Sequence, residues 1–188
     1  MDELTSLARA AADGDRAALA RLVRQTQDDV WRLCAHLVDP ASADDLAQDT
    51  YLRAIPALGK FRGDAPVRTW LLAIARRACA AEISARSRDR RLTARVAATR
   101  GGTLGQPPAE PGAQAAADEL LAALEPGRRA AFVLTQMLGC SYAEAAAICD
   151  CPVGTVRSRV ARARDDLAAM TADESAPSRS ASADGFRC

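Results

Sequence analysis

The stretch SYAEAAAICDCPVGTVRSRVARAR, residues 141–164, permits few folds. Ser141 followed three residues later by Glu144 is a capping-box signature that opens a helix. That helix is expected to end near Ile148, with CDC as a three-residue turn. Pro152 then suits the first turn of the next helix, where its missing N–H costs nothing. Helix, tight turn, helix is the helix-turn-helix pattern, whose second helix enters the major groove of DNA. Rotating the second helix by 100° per residue gathers Val156, Val160, Ala163 and Leu167 within roughly 60° of arc, the face expected to pack. Ser158, Ala161 and Asp165 point away from it, while Thr155, Arg157 and Arg162 lie between and Arg159 falls closer to the packed side. Thr155, Arg157, Ser158 and Arg162 are therefore the candidates to meet DNA, with Thr155 near the helix N-terminus where phosphates bind. A solvated cationic face is the alternative.

The rest of the chain reads as helical too. Alanine is abundant, aromatic residues are 4% of the 188 residues, and no turn-bounded β-branched runs occur. The fold class is all-α, with two small helical domains joined by a flexible linker. A first long helix is expected from about Asp15 to Val38, on the helical spacing of Leu19, Leu22, Val23, Val30, Leu33 and Leu37. Ser42 and Asp45 resemble a second capping box, opening a helix that Pro56 ends or kinks. GKFRGDAP is a loop of turn formers. A third helix follows with Val67, Trp70, Leu71, Ile74 and Ala78 in one apolar stripe, and Arg68, Thr69, Arg76 and Arg77 on its other faces. TRGGTLGQPPAEPGAQ, residues 99–114, holds four glycines and three prolines and reads as the linker. A second helical unit spans about Ala117 to Met170, and the Ser/Ala-rich tail beyond it reads as disordered.

Charge and cysteine usage narrow the function. The net charge of +1 conceals segregation: Asp39, Asp44, Asp45 and Asp49 stand in residues 39–50 without a basic residue, whereas residues 60–100 carry 11 Lys/Arg against 3 Asp/Glu. Partners of opposite charge are implied. The opening MDELTSLARAAADGD lacks a basic stretch followed by an apolar run, so no signal peptide is expected. No apolar stretch approaches the ~20 residues of a spanning helix, and a cytoplasmic protein without membrane insertion is expected. Six cysteines in such a chain read as reduced thiols. Cys149 and Cys151 offer two ligands where a closed zinc site needs four, so they are read as small residues filling a turn, with no metal and no cofactor.

CPVGTVRSRVARAR, preceded by LLAALEPGRRAAFVLTQMLGCSYAEAAAICD, closely resembles the promoter-binding C-terminal domain of the extracytoplasmic-function (ECF, group IV) sigma factors of the sigma-70 family. ADDLAQDTYLRAI and FRGDAPVRTWLLAIARRACAAEI resemble sigma region 2. The resemblance covers roughly residues 10–168. It implies region 2 over 1–98, a linker over 99–116, region 4 over 117–170 and a disordered tail over 171–188. It also implies an alternative sigma factor, without enzymatic activity, that binds bacterial core RNA polymerase and promoter DNA and promotes melting. Asp45, Gln48, Asp49 and Arg53 resemble the surface docked on the β′ clamp helices, with the β subunit as a further contact. Phe61, Arg62, Gly63 and Asp64, in the loop ending at Pro66, resemble the element that captures a flipped −10 base, and Thr69, Arg76 and Arg77 follow on the helix that reads and melts it. The arginine helix resembles the −35 reader. An anti-sigma factor is a further candidate partner. The chain departs from the family where Arg77 replaces the common Asn and Ala161 replaces a larger side chain, at positions that help choose the promoter.

Physical chemistry supports such roles, since a positive groove and a shaped pocket hold single-stranded bases. Phe61 is either a stacking face or a core anchor, and Trp70 is read as core. A stand-alone helix-turn-helix repressor would leave the acidic helix idle. An enzyme is disfavoured because no Gly-rich phosphate loop, H-E-x-x-H or G-x-S-x-G is present and His36 is the sole histidine.

Overall fold

The computed structural model describes residues 3–100 and 113–174. Those residues form eight α-helices and no strand: α1 Glu3–Ala12, α2 Arg16–Leu37, α3 Pro40–Ala57, α4 Val67–Arg100, α5 Ala113–Ala123, α6 Pro126–Phe132, α7 Tyr142–Cys149 and α8 Val153–Glu174. A 3₁₀ turn, Leu58–Lys60, follows α3, and one π turn, Val133–Met137, continues α6.

Local signals set most of the boundaries. Asp15 caps α2 by accepting from the amides of Ala17 and Ala18, satisfying donors that a helix start leaves open. The cap of α3 differs from expectation: Asp39, not Ser42, accepts from the Ser42 amide, and Pro40 occupies the first turn. Ser42 and Asp39 both receive Arg86 of α4 instead. Proline's fixed φ and absent N–H favour that position, so the cap lies three residues earlier. Pro56 sits one residue before the end of α3.

At α7 the expected capping box is complete. Ser141 Oγ accepts from the Glu144 amide at 3.2 Å, and Glu144 Oε2 accepts from the Ser141 amide at 2.8 Å. Two left-handed residues bracket this helix. Gly139 (φ 68°) turns the chain out of the π turn, and Asp150 (φ 52°, ψ 54°) closes α7 before α8. Asp and Asn tolerate that region better than branched residues.

Helix α4 is buried on two sides, where the sequence marked one stripe. Val67 and Leu71 face α1, α2 and α3 together with Leu7, Leu22 and Leu58. Leu72, Ala75, Ala78 and Cys79 belong to a second cluster that runs without interruption into Val133, Leu134, Ile148, Val156 and Val160. The two helical units therefore share one core. Each fully buried Leu or Ile in it contributes about 1.5–3 kcal/mol. A third, smaller cluster places Leu121 and Leu124 of α5 on Ala163 of α8. The expected linker and tail lie largely outside the described residues, while positions 99–100 extend α4 and 113–116 open α5.

Candidate nucleic-acid and polymerase interfaces

The helical wheel of α8 is reproduced by burial. Val156, Val160 and Ala163 are buried, and Leu167 packs half-buried beside Ala163. Arg157, Ser158 and Arg162 are exposed, and Thr155 is partly exposed at the helix start. Ser158 Oγ donates to the Thr155 carbonyl at 3.0 Å, and the Arg157 guanidinium lies 5.9 Å from the centre of the Tyr142 ring. Arg159 turns inward as expected, against Gly127 of α6, and donates to Cys151 Sγ at 3.7 Å. Arg164 donates to Gln136 Oε1 at 2.7 Å. The outward face of α8 is thus a short row of Arg157, Ser158 and Arg162, held in place by its apolar back.

The loop between α3 and α4 forms a concavity of about 280 Å³ lined by Lys60, Phe61, Arg62, Gly63, Asp64, Ala65 and Trp70. Phe61 is half-buried and its ring lies 5.2 Å from that of Trp70, tilted by 47°, within the preferred range for aromatic pairs. It packs on Trp70 and also lines the concavity. Gly63 has φ 79°, and a Cβ there would meet Arg9 Nη2 at 3.1 Å. Arg62 and Asp64 are exposed.

The helix residues that follow are divided. Arg77 is exposed. Thr69 is buried, at 4% exposure. Arg76 Nε donates to the Ile148 carbonyl at 2.8 Å. In this arrangement Thr69 is buried and Arg76 is held by the second unit, so neither faces solvent freely.

Four arginines join the units by one device. Arg76 caps Ile148 near the end of α7, and Arg68 reaches Leu138 O at 2.8 Å beyond the π turn. Arg32 donates to Met137 O and Arg129 to Leu37 O, each at 3.0 Å. Each carbonyl lies at or near a helix or turn C-terminus, where acceptors lack partners and the dipole favours a cation. Arg68 is further fixed by Asp29 at 2.6 Å; its hydrogen bond to that carboxylate holds its pKa above the ordinary arginine value, against the opposing effect of burial. Burial acts alone on Arg129 and lowers its pKa; Arg129 Nε is a buried atom without a partner. His36 Nδ1 and Asp118 Oδ1, 3.3 Å apart, add a link between α2 and α5. Sequence reading missed this interface because its acceptors are backbone atoms far along the chain.

On α3, Asp45, Gln48 and Arg53 are exposed and Asp49 is partly so. Asp49 and Arg53 pair at 2.8 Å in i,i+4 spacing. Leu52, 65% exposed, and Ile55, 39% exposed, stand beside them. Leu52 falls seven residues after Asp45, on the same helix face, a signal the sequence held. Asp44 accepts from Trp31 Nε1 at 2.9 Å. Asp39 is engaged by Arg86, and hydrogen bonds from Arg86 and Ser42 outweigh burial to lower its pKa.

Cys34, Cys79, Cys140 and Cys149 are buried free thiols, and Cys151 is partly exposed. Among the described residues no group of three or more His, Cys, Asp or Glu converges as a metal site would. No helix among them is long and apolar enough to cross a membrane.

Comparison with known proteins follows the same division. Residues 22–89 match the family model "Sigma-70 region 2" and residues 114–167 match "Sigma-70, region 4". The chain is 48% identical over 181 residues to the "Probable RNA polymerase sigma-C factor" of Mycobacterium bovis, covering 89% of this chain and 91% of that one. It is 35% identical over 167 residues to the "ECF RNA polymerase sigma-E factor" of Escherichia coli, covering 82% and 86%. The fold is similar to CnrH in its complex with the cytosolic domain of CnrY, with TM-score 0.70, 29% identity and coverage of 93% of this chain and 100% of that one. It is also similar to the sigma factor RpoE in complex with the anti-sigma factor NepR from Bartonella quintana, with TM-score 0.67, 26% identity and coverage of 82% and 96%.

Proposed function

We propose how this chain, which belongs to the extracytoplasmic-function RNA polymerase sigma factors, divides promoter recognition among its surfaces. It is an alternative sigma factor that directs RNA polymerase to promoters. It acts in the cytoplasm as a binding factor, without chemistry of its own. The residue assignments rest on the placement of charge and exposure.

Thr155, Arg157, Ser158 and Arg162 read the −35 element from the major groove, where Arg pairs bidentately with guanine. The single observation that carries this is the outward row of α8, exposed opposite the packed face of Val156, Val160 and Ala163. The concavity of Phe61, Arg62, Gly63 and Asp64 takes a base extruded from the −10 element, and Arg77, with Arg76 and Thr69 once uncovered, holds the melted strand. Engaging both elements requires the two units to part, since Arg76 is bound to Ile148 while they are packed. Asp45, Gln48, Asp49 and Arg53 dock on the β′ clamp helices, with Leu52 and Ile55 supplying apolar area; the β subunit is a further contact. The solved complexes of the similar sigma factors support an anti-sigma factor as a partner class.

The test is reconstitution: core polymerase plus this protein, with transcripts sequenced from a genomic template. Discrete starts that vanish without the protein are expected. Starts that are identical with and without it would overturn the reading.

A further inference from the structure

Three of the cysteines left without a role gather where the two units meet. Cys140 precedes α7, Cys149 ends it and Cys151 follows one residue later. Cys140 and Cys149 lie in one core cluster, and Cys151 packs against it. Cys140 and Cys149 are buried, and Arg68 donates to Cys140 Sγ at 3.5 Å. Cys151 is the partly exposed member, with Arg159 Nη1 donating to its sulfur at 3.7 Å. It also stands two residues before the first residue of the 22-residue α8, near the positive end of that helix dipole. Positive charge and partial exposure are the surroundings of reactive thiols, and apolar burial those of inert ones.

The other pair is of the inert kind. Cys34 and Cys79 are both fully buried. The hydrogen bond that the Cys79 thiol makes to Cys34, with burial added, drives the Cys79 pKa far above the ordinary thiol range, so Cys79 stays protonated. Burial raises the Cys149 pKa against the opposing pull of Arg76 and Arg159, so Cys149 is not the thiol that meets a peroxide first.

We propose that Cys151 and Cys149 are a redox-active dithiol whose oxidation by a hydroperoxide loosens the helix-turn-helix unit from α4. The Cys151 thiolate attacks the O–O bond of hydrogen peroxide; an S–O bond forms, the O–O bond breaks and hydroxide leaves, taking up a proton as water. Cys149 sulfur then attacks the sulfenic sulfur. The S–S bond forms, the S–O bond breaks, and the departing hydroxide takes the Cys149 proton as the second water. Two thiols thereby lose two electrons to one peroxide.

The consequence follows from where Cys149 sits. Its side chain belongs to the core cluster shared with Leu72, Ala75 and Cys79 of α4, and the carbonyl of the preceding Ile148 accepts from Arg76. Asp150, in the left-handed region, folds the chain back between the two thiols. A disulfide needs Cβ atoms about 3.8 Å apart, so closing it draws the Cys149 sulfur towards the turn. That empties a site beside α4 and displaces the acceptor of Arg76. The functional meaning, uncovering the −10 helix, rests on the reading proposed above; the bond and the loosening do not.

The experiment uses the full chain with graded hydrogen peroxide. Intact mass under non-reducing conditions should fall by about 2 Da as the disulfide forms, and peptide mapping should join Cys149 to Cys151. Amide exchange over residues 67–80 should accelerate roughly tenfold on oxidation and revert with dithiothreitol. Cys151→Ser should abolish both changes, and Cys34→Ser should leave both intact. Linkage through Cys34–Cys79 or Cys140, accumulation of sulfinic acid at Cys151 without a disulfide, or a Cys149–Cys151 bond with unchanged exchange would each overturn the proposal. Promoter-specific transcription by the reduced protein tests the sigma-factor reading separately, so failure of one is distinguishable from failure of the other.

Discussion

Arg76 Nε donates to the Ile148 carbonyl at 2.8 Å, so one guanidinium on α4 closes the last turn of α7. A side chain proposed for the −10 element is thereby held by the unit proposed for the −35 element. Helix C-terminal carbonyls offer strong unpaired acceptors, and Arg68, Arg32 and Arg129 use the same chemistry around Arg76. The packed form is held by a core plus polar caps, and caps exchange with water more readily than a core does.

Removing Arg68 tests how much these caps hold. Arg68→Ala strands the Asp29 carboxylate and the Leu138 carbonyl, both partners of one partly buried guanidinium. A hydrogen bond to a charged group is worth about 1.5–3 kcal/mol, and partial exposure brings the expected loss to the lower part of that range. Urea unfolding should show a lower midpoint at unchanged slope. An unaltered midpoint would show that the caps contribute nothing.

Stability should also depend on acid at one defined place. Backbone and side-chain hydrogen bonds with Ser141, opposed by slight burial, hold the Glu144 carboxyl below its ordinary value. A depressed folded-state pKa stabilises above the unfolded value of about 4.3 and loses that stability as pH falls through the folded pKa. Glu144→Gln should therefore lower thermal stability at pH 7 and match the parent at acid pH. A constant difference between the two proteins across that range would contradict the capping account.

The polymerase face proposed on α3 is separable from folding. Asp45→Lys with Asp49→Lys, or Leu52→Ala with Ile55→Ala, changes side chains that are exposed or partly exposed and leaves the buried Ala43, Leu46, Thr50 and Ala54 untouched. Each pair should weaken retention on immobilised core polymerase with unchanged helical circular dichroism. Undiminished retention by both would move the docking surface elsewhere.

Much of this was legible in the sequence where the cause is local. The Ser141–Glu144 box and the wheel of α8 involve residues within a few positions of one another and appear as read, while the CDC turn begins one residue later than expected because Cys149 ends α7 and Asp150 caps it. The cap of α3 lies at Asp39 and not at Ser42 because two cap-forming residues three positions apart both fit the pattern, and Pro40 decides for Asp39. The second buried side of α4 could not be read at all. Leu72, Ala75 and Cys79 are small or apolar residues whose partners, Leu33 and Cys34 before them and Val133 to Val160 after them, are far away along the chain. The arginine caps are hidden for the same reason, since a backbone acceptor carries no sequence mark. Leu52 was missed although its spacing from Asp45 displayed it.

The cysteine pair has a prediction independent of oxidation. Under reducing conditions Cys149→Ser with Cys151→Ser should leave −35 binding nearly intact, and the purified protein should carry no stoichiometric zinc, since no metal-ligand group converges among the described residues. One zinc per chain by elemental analysis would contradict this.

The central claim is that α8 and α4 read different promoter elements, and a permanganate footprint on holoenzyme bound to its promoter tests it most directly. Arg157→Ala removes an exposed side chain whose contact with Tyr142 is worth only about 0.5–1 kcal/mol, and Arg77→Ala removes one exposed on α4, so neither should unfold the protein. Arg157→Ala should weaken −35 duplex binding by about 1–3 kcal/mol at one base position if it reads guanine. Once enough protein is supplied to restore occupancy, thymine reactivity in the −10 region should return. Arg77→Ala should bind the isolated −35 duplex normally and leave the −10 thymines unreactive at full occupancy. The same defect from both variants in both assays would contradict two separate readers and require a single DNA-binding surface.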